Sequence, residues 1–302
     1  MLRFITQKIV SLGLVCILIV FAAHLGMRMV GNSESSKPDY DLVENSARAW
    51  KDTRAYLASA LHGNFGTITT QKGEVSTASV LEETYINSMG LLLVALGLGA
   101  FLGILMGTSA ALIKNRTLLF WVFGLTLIGI STPSFFAGLL LRQGEIWYLN
   151  TFGHSLVSVG GFGWNYKHML LPVLVLAARP MAYLARASHL AVSRVMEEDY
   201  IRTAFSKGLT QARTVNVHAV RNIAIPVLTA IGVSLRFSLS ALPVVEFLFF
   251  WPGMGLRLLE AINARQTVLV ATLAAALGFT FLSLNLVLDV VYKVIDPRMR
   301  EI

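Results

Sequence analysis

Apolar runs long enough to cross a bilayer alternate with short polar connections along most of this chain, and that alternation predicts its elements. The first run follows Arg3 and Lys8 and stays apolar from Ile9 to Leu25. A signal peptide has a shorter apolar core, about 7–15 residues ending at a small-residue cleavage site. Here the run continues through His24, Leu25 and Met27, so residues 1–29 are expected to form an uncleaved first membrane helix. Four further spans are expected at 89–113, 118–141, 169–192 and 223–245, and a last one at 268–292. Residues 30–86 are polar and richer in acids than in bases. They suggest a loop-rich extracytoplasmic cap around one helix near 43–61, too short and too poor in apolar residues for an independent domain.

One polar connection, 196–221, has a helical period of its own. Within 197–209, Ile201, Ala204, Phe205, Gly208 and Leu209 share one face. This predicts an amphipathic helix of about three turns. Glu197, Glu198 and Asp199 lie at its amino end and Lys207 at its carboxyl end, each where the helix dipole favours it. Gly208 is placed to take a left-handed cap, with Leu209 available for the apolar contact that follows.

Composition turns the pattern into a class. Of the 302 residues 55% are hydrophobic and 14% charged, against about 25% charged in soluble domains. The net charge of +8 would suit nucleic acid only if it formed a basic face on a soluble domain. The Lys and Arg residues instead flank apolar runs, so membrane lipids are the expected surroundings and no nucleic-acid partner is expected. Arg3, Lys8, Lys114, Arg116, the bases of 186–221, and Lys293, Arg298 and Arg300 fall on one side of a six-span arrangement. By the positive-inside rule both termini and the 197–220 loop are cytoplasmic. The expected fold is therefore an all-α polytopic membrane protein with about six transmembrane helices. It comprises a first helix (1–29), an extracytoplasmic segment (30–86), a transmembrane core (87–295) that includes the 196–221 loop, and a cytoplasmic tail (296–302).

Catalytic chemistry finds little support. Cys16 is the single cysteine, which leaves no internal disulfide and no multi-thiol metal site. The six histidines lack metal-ligand spacing, and no phosphate-binding Gly-x-x-x-x-Gly-Lys-Ser/Thr occurs. Ser188 and His189 are adjacent, so on a helix they point apart. Pro133, Pro172, Pro180, Pro226 and Pro243 lie in or at the ends of spans. Membrane helices tolerate such kinks; they suit either helices bent around a central space or plain packing. Arg179 and Arg236 fall within spans, with Glu246 near an outer edge and Asp289 near an inner one. Buried charges of this kind are costly unless paired or hydrated. Pro133, Arg236 and Glu246 are the candidates for a lined pathway, anchoring or pairing being the alternative role.

Several stretches together resemble one family. They are Asp199-Tyr200-Ile201-Arg202-Thr203-Ala204, Lys207-Gly208-Leu209, His218-Ala219-Val220-Arg221-Asn222 and Ile225-Pro226-Val227-Leu228-Thr229. Val245-Glu246-Phe247, Phe250-Trp251-Pro252-Gly253-Met254-Gly255, Asn285, Asp289 and Asp296-Pro297-Arg298 add to them, as do Ser131-Thr132-Pro133-Ser134-Phe135-Phe136 and Leu170-Leu171-Pro172 upstream. From about Thr77 onward the chain resembles the inner-membrane permease subunits of ATP-binding-cassette importers, in the dipeptide, oligopeptide and nickel branch. Before Thr77 the likeness is weaker: Gly63-Asn64-Phe65-Gly66 has Asn64 where the family usually has Asp, and Gly31-Asn32-Ser33-Glu34 replaces a common Pro-Gly-Asp-Pro.

The resemblance implies that the 197–213 helix docks into a groove on a cytosolic ATPase, with Glu198, Asp199, Tyr200, Arg202, Ala204, Phe205, Lys207 and Gly208 as the coupling residues. It implies a sister permease in a heterodimer, two ATPase subunits, an extracytoplasmic solute-binding protein and an inner-membrane location. The chain itself would then need no cofactor and be no enzyme, ATP and Mg being bound by the partner subunits. Di- or oligopeptides are the substrates most in keeping with it, moved by alternating access. Nickel complexes or another small solute, an intramembrane hydrolase, and a non-transporting membrane scaffold stand as the alternatives.

Overall fold

A computed structural model describes residues 2–30, 41–70, 73–113 and 116–295. The tail 296–302, with Asp296, Arg298 and Arg300, lies outside the described residues, as do Lys114 and the 31–34 stretch. In chain order the elements are α1 (Leu2–Met29), α2 (Leu42–Leu61), the antiparallel hairpin β1 (Thr67–Thr70) and β2 (Gly73–Ser76), α3 (Thr77–Ile113), α4 (Arg116–Ser131), α5 (Ser134–Phe152) and α6 (Tyr166–Met196). Next come α7 (Asp199–Ser206), α8 (Gln211–Thr214), a π-helical turn (Val215–Ala219), α9 (Val220–Phe249), α10 (Met254–Asn263) and α11 (Thr267–Ile295). The predicted helix near 43–61 is α2; the hairpin and α10 had no counterpart in the expectation.

Among the described residues five helical stretches are long and apolar enough to cross a membrane: Thr6–Met29, Thr77–Ile113, Tyr166–Met196, Asn222–Phe249 and Thr267–Lys293. The expected span at 118–141 is different. It is broken into α4 and α5, which meet at 109° and make a sixth crossing only as a pair. The break has a plain cause: Pro133 holds φ −60° and ψ 140°, and a proline disfavours helix at the residue before it. α5 then continues well past 141, until Gly153 turns left-handed at φ 74° and donates its N–H to the Leu149 carbonyl at 2.8 Å.

The chain divides into two compact units, Met1–Met89 with Trp251–Val287, and Gly90–Phe250 with Leu288–Ile302, the divisions falling inside α3 and α11. In the first unit, Met27, Ile68, Val80, Met254, Leu269 and Leu273 belong to one apolar core. Arg28, at the end of α1, pairs with Asp52 of α2 at 2.5 Å. The Trp251-Pro252-Gly253-Met254 turn is locked to α3. The Trp251 indole N–H donates to the Asn87 carbonyl at 3.1 Å, the Asn87 amide donates to the Pro252 carbonyl at 3.0 Å, and the Met254 N–H donates to Ser88 Oγ at 2.7 Å.

In the second unit α3 and α6 touch backbone to backbone. A Cβ placed on Gly99 would lie 2.9 Å from the Ala177 carbonyl oxygen, one on Gly103 would meet that of Met181, and one on Gly107 would run into that of Ala185. Glycine at every fourth position is what lets membrane helices approach this closely. α6 carries Pro180 in its interior, which removes the bond normally made to the carbonyl four residues back. That carbonyl, on Leu176, instead accepts from Ser238 Oγ of α9 at 3.3 Å, so the neighbouring helix repairs the break. The end of α11 is tied to α9 by Arg236 to Asp289 at 3.4 Å and by the Tyr292 hydroxyl, which donates to the Thr229 carbonyl at 3.1 Å.

Candidate functional site

The polar connection between α6 and α9 contains the amphipathic helix expected there, in a shorter form. α7 has eight residues, about 12 Å of helix; the three-turn helix and the longer 197–213 helix are not formed. Gly208 stops it at φ 79°. The Gly208 N–H donates to the Phe205 carbonyl at 2.9 Å and the Leu209 N–H to that of Ala204 at 3.3 Å, the two bonds of a Schellman cap. The chain restarts at once, with the Thr214 N–H on the Thr210 carbonyl at 2.9 Å, to give α8 and the π-helical turn.

α7 is fastened by one face only. Ile201 is fully buried in a small apolar cluster with Val215 and Ala219, against Leu112 of α3, Val195 and Met196 of α6, and Ile223 of α9. The cluster to which Ile201 belongs thus packs against the ends of three long helices. Tyr200 adds a second tie: its hydroxyl accepts from the Asn222 amide at 2.7 Å. Ala204, expected on the docking face, is only 5% exposed and shares the inward face with Ile201.

The other expected coupling residues stay on the outside. Glu198, Asp199, Arg202, Lys207 and Gly208 are exposed, and the rings of Tyr200 and Phe205 remain 40% and 41% exposed. Arg202 and Asp199 form a 3.5 Å pair with both side chains in solvent, which is worth little to stability. A Cβ at Gly208 would meet nothing within 4 Å. The exposed surface therefore carries two aromatic rings, Tyr200 and Phe205, among charged residues, with an open notch at its carboxyl end.

The pathway candidates do not converge. Pro133 is the extended residue at the α4–α5 bend. Arg236 is engaged with Asp289 inside its own chain, and Glu246 is fully buried. Arg179 behaves differently: its guanidinium carbon sits 5.7 Å from the Phe237 ring centroid, and among the described residues it makes no hydrogen bond or ion pair. The sequence marks both arginines as intramembrane charges; which one finds a carboxylate depends on the end of α11, at Asp289, lying beside α9.

A short amphipathic helix whose buried cluster packs against three long helices thus sits in a chain of repeated apolar spans. Residues 99–301 match the family described as binding-protein-dependent transport system inner membrane component. The chain belongs to that family, and is an inner-membrane, multi-pass permease of an ATP-binding-cassette importer in the peptide branch. It is similar to a putative peptide transport system permease protein of Brucella abortus (strain 2308), 33% identical over 216 residues covering 70% of this chain and 68% of that one. A dipeptide transport system permease of Haemophilus influenzae is 34% identical over 220 residues, 66% of each chain. A glutathione transport system permease of Salmonella paratyphi A is 29% identical over 320 aligned residues, 99% of each. A permease of this family is a transport component rather than an enzyme, and membership implies ATPase and binding-protein components in general.

Proposed function

We propose that this permease pairs with a sister subunit to form the path for di- or oligopeptides. Two ATPase subunits drive it through α7, and an extracytoplasmic binding protein delivers the substrate. The observation that carries this reading is the single-sided attachment of α7: Ile201 is buried in a cluster that packs against the ends of α3, α6 and α9, while Tyr200, Arg202, Phe205, Lys207 and Gly208 are exposed. Two aromatic rings among charged residues suit a helix laid into a groove, the charges steering the encounter. A push on α7 would reach three helices through that cluster, which is what alternating access requires of a handle. ATP and Mg are bound by the partners, since this chain carries no phosphate-binding loop. The names of the peptide, dipeptide and glutathione permeases support the substrate class.

Gly208→Asp tests the reading. A Cβ there meets nothing within 4 Å among the described residues, so the carboxylate would project towards the docking groove, and the left-handed backbone disfavours any Cβ. The expected result is a permease inserted at the normal level, with peptide uptake and ATPase association lost. Normal uptake would overturn the coupling role.

A further inference from the structure

The α4–α5 bend leaves a cavity of about 270 Å³ facing α6 and α9. Thr132 and Ser134 flank it at the bend, Ala137 lies on α5, Arg179 on α6, and Phe237 and Ala241 on α9. Apart from Ser238 its walls are otherwise aliphatic, with Leu140, Val175 and Leu176 among them. The volume is just below the range of about 300–1,000 Å³ typical of small-molecule sites. It therefore suits a group of one-residue size rather than a whole peptide.

Arg179 is the charged group of that wall. It lies thirteen residues into α6, about 20 Å along the helix, within the depth of a hydrocarbon core about 30 Å thick. Arg28 and Arg236 each pair with an aspartate. Among the described residues Arg179 makes no hydrogen bond or ion pair, and its guanidinium carbon lies 5.7 Å from the Phe237 ring centroid. A cation held at this depth without a counter-ion among the described residues is a candidate place for an anion to be received.

We propose that this cavity receives the carboxyl-terminal residue of the transported peptide, the apolar side chain in the cavity and the carboxylate on Arg179. This rests on the peptide reading given above. The recognition chemistry is an anionic group on an apolar body of about one residue. A bilayer amphiphile offers the same chemistry from a second source, and the test separates the two.

The experiment uses the complete transporter, with its ATPases and binding protein, reconstituted in proteoliposomes. Uptake of Ala-Phe, its carboxyl-terminal amide and Ala-Gly is measured alongside binding-protein affinity. Arg179→Gln is expected to raise KM for Ala-Phe about tenfold, the loss of one charge-assisted bond, and to abolish the preference for acid over amide. Arg179→Lys restores part of that preference. Ala137→Leu, which fills the cavity and leaves the charge, is expected to penalise Ala-Phe against Ala-Gly while keeping the acid preference. If Arg179→Gln fails to assemble, Ala137→Leu decides alone.

If the wild type carries peptides and the variants match it in KM and preference, the cavity proposal is overturned and the peptide reading stands. If the wild type carries no peptide, the peptide reading fails and native mass spectrometry of the purified permease decides. An anionic lipid adduct lost in Arg179→Gln then assigns the cavity to the bilayer source. Equal adducts, or none, overturn an anion site at Arg179.

Discussion

Two regions of the second unit are held in opposite ways. Along the seam of α3 and α6, Gly99, Gly103 and Gly107 bring one backbone against the carbonyls of the other. Tight packing of this kind is bistable rather than deformable, so the pair should move as one piece. α7, by contrast, is held by the burial of Ile201, worth about 1.5–3 kcal/mol, and by the Tyr200–Asn222 hydrogen bond, worth about 0.5–1.5 kcal/mol. A short helix on so few ties belongs to the low-stability end of a protein. The seam is the rigid part; under the function proposed above, α7 would be the part that another protein grips.

The sharpest way to break this contrast is to disturb the seam. Gly107→Leu drives a side chain into the Ala185 backbone and should cost about 3 kcal/mol, read as loss of folded permease in detergent. A near-normal melting temperature would mean the seam is loose. Ile201→Ala should cost about 2–3 kcal/mol, but locally. Trypsin should then cut faster at Arg202 and Lys207 while the membrane core stays folded, with uptake reduced at least tenfold for a handle released by that much.

A finer division separates the two faces of α7. Phe205→Asp changes an exposed ring and should abolish ATPase association with a melting temperature close to that of the wild type. Ala204→Asp buries a carboxylate and should lower the melting temperature as well. Similar thermal behaviour in both would erase the distinction between inner and outer face. The smallest effect is expected outside the contrast: Asp52→Asn removes the half-exposed pair with Arg28, at a cost of about 0.5–1 kcal/mol, seen as a melting shift of a few degrees.

Much of this was legible in the residues. The long apolar runs gave five of the crossings, and the glycine cap of α7 follows from Lys207-Gly208-Leu209. The broken α4–α5 crossing was not, because a proline within an apolar run reads equally well as a mild kink or a full stop; what decides is the packing around Thr132 and Ser134. The spacing of Gly99, Gly103 and Gly107 was visible but silent, since a glycine in a span declares its purpose only when the opposing carbonyl is known. Ala204 lies on the predicted apolar face, yet periodicity cannot tell an apolar stripe turned to a partner from one turned to its own chain. The same limit separates Arg236, which finds Asp289 fifty-three positions away, from Arg179, which does not.

The direct test of the handle is a photo-crosslinker attached at Phe205→Cys in a Cys16→Ser background, Cys16 being the single native cysteine. In the assembled transporter the adduct should form with an ATPase subunit, change in yield when ATP is bound, and block uptake once formed. An adduct with lipid alone, labelling from the extracytoplasmic side, or full uptake by the crosslinked complex would contradict it.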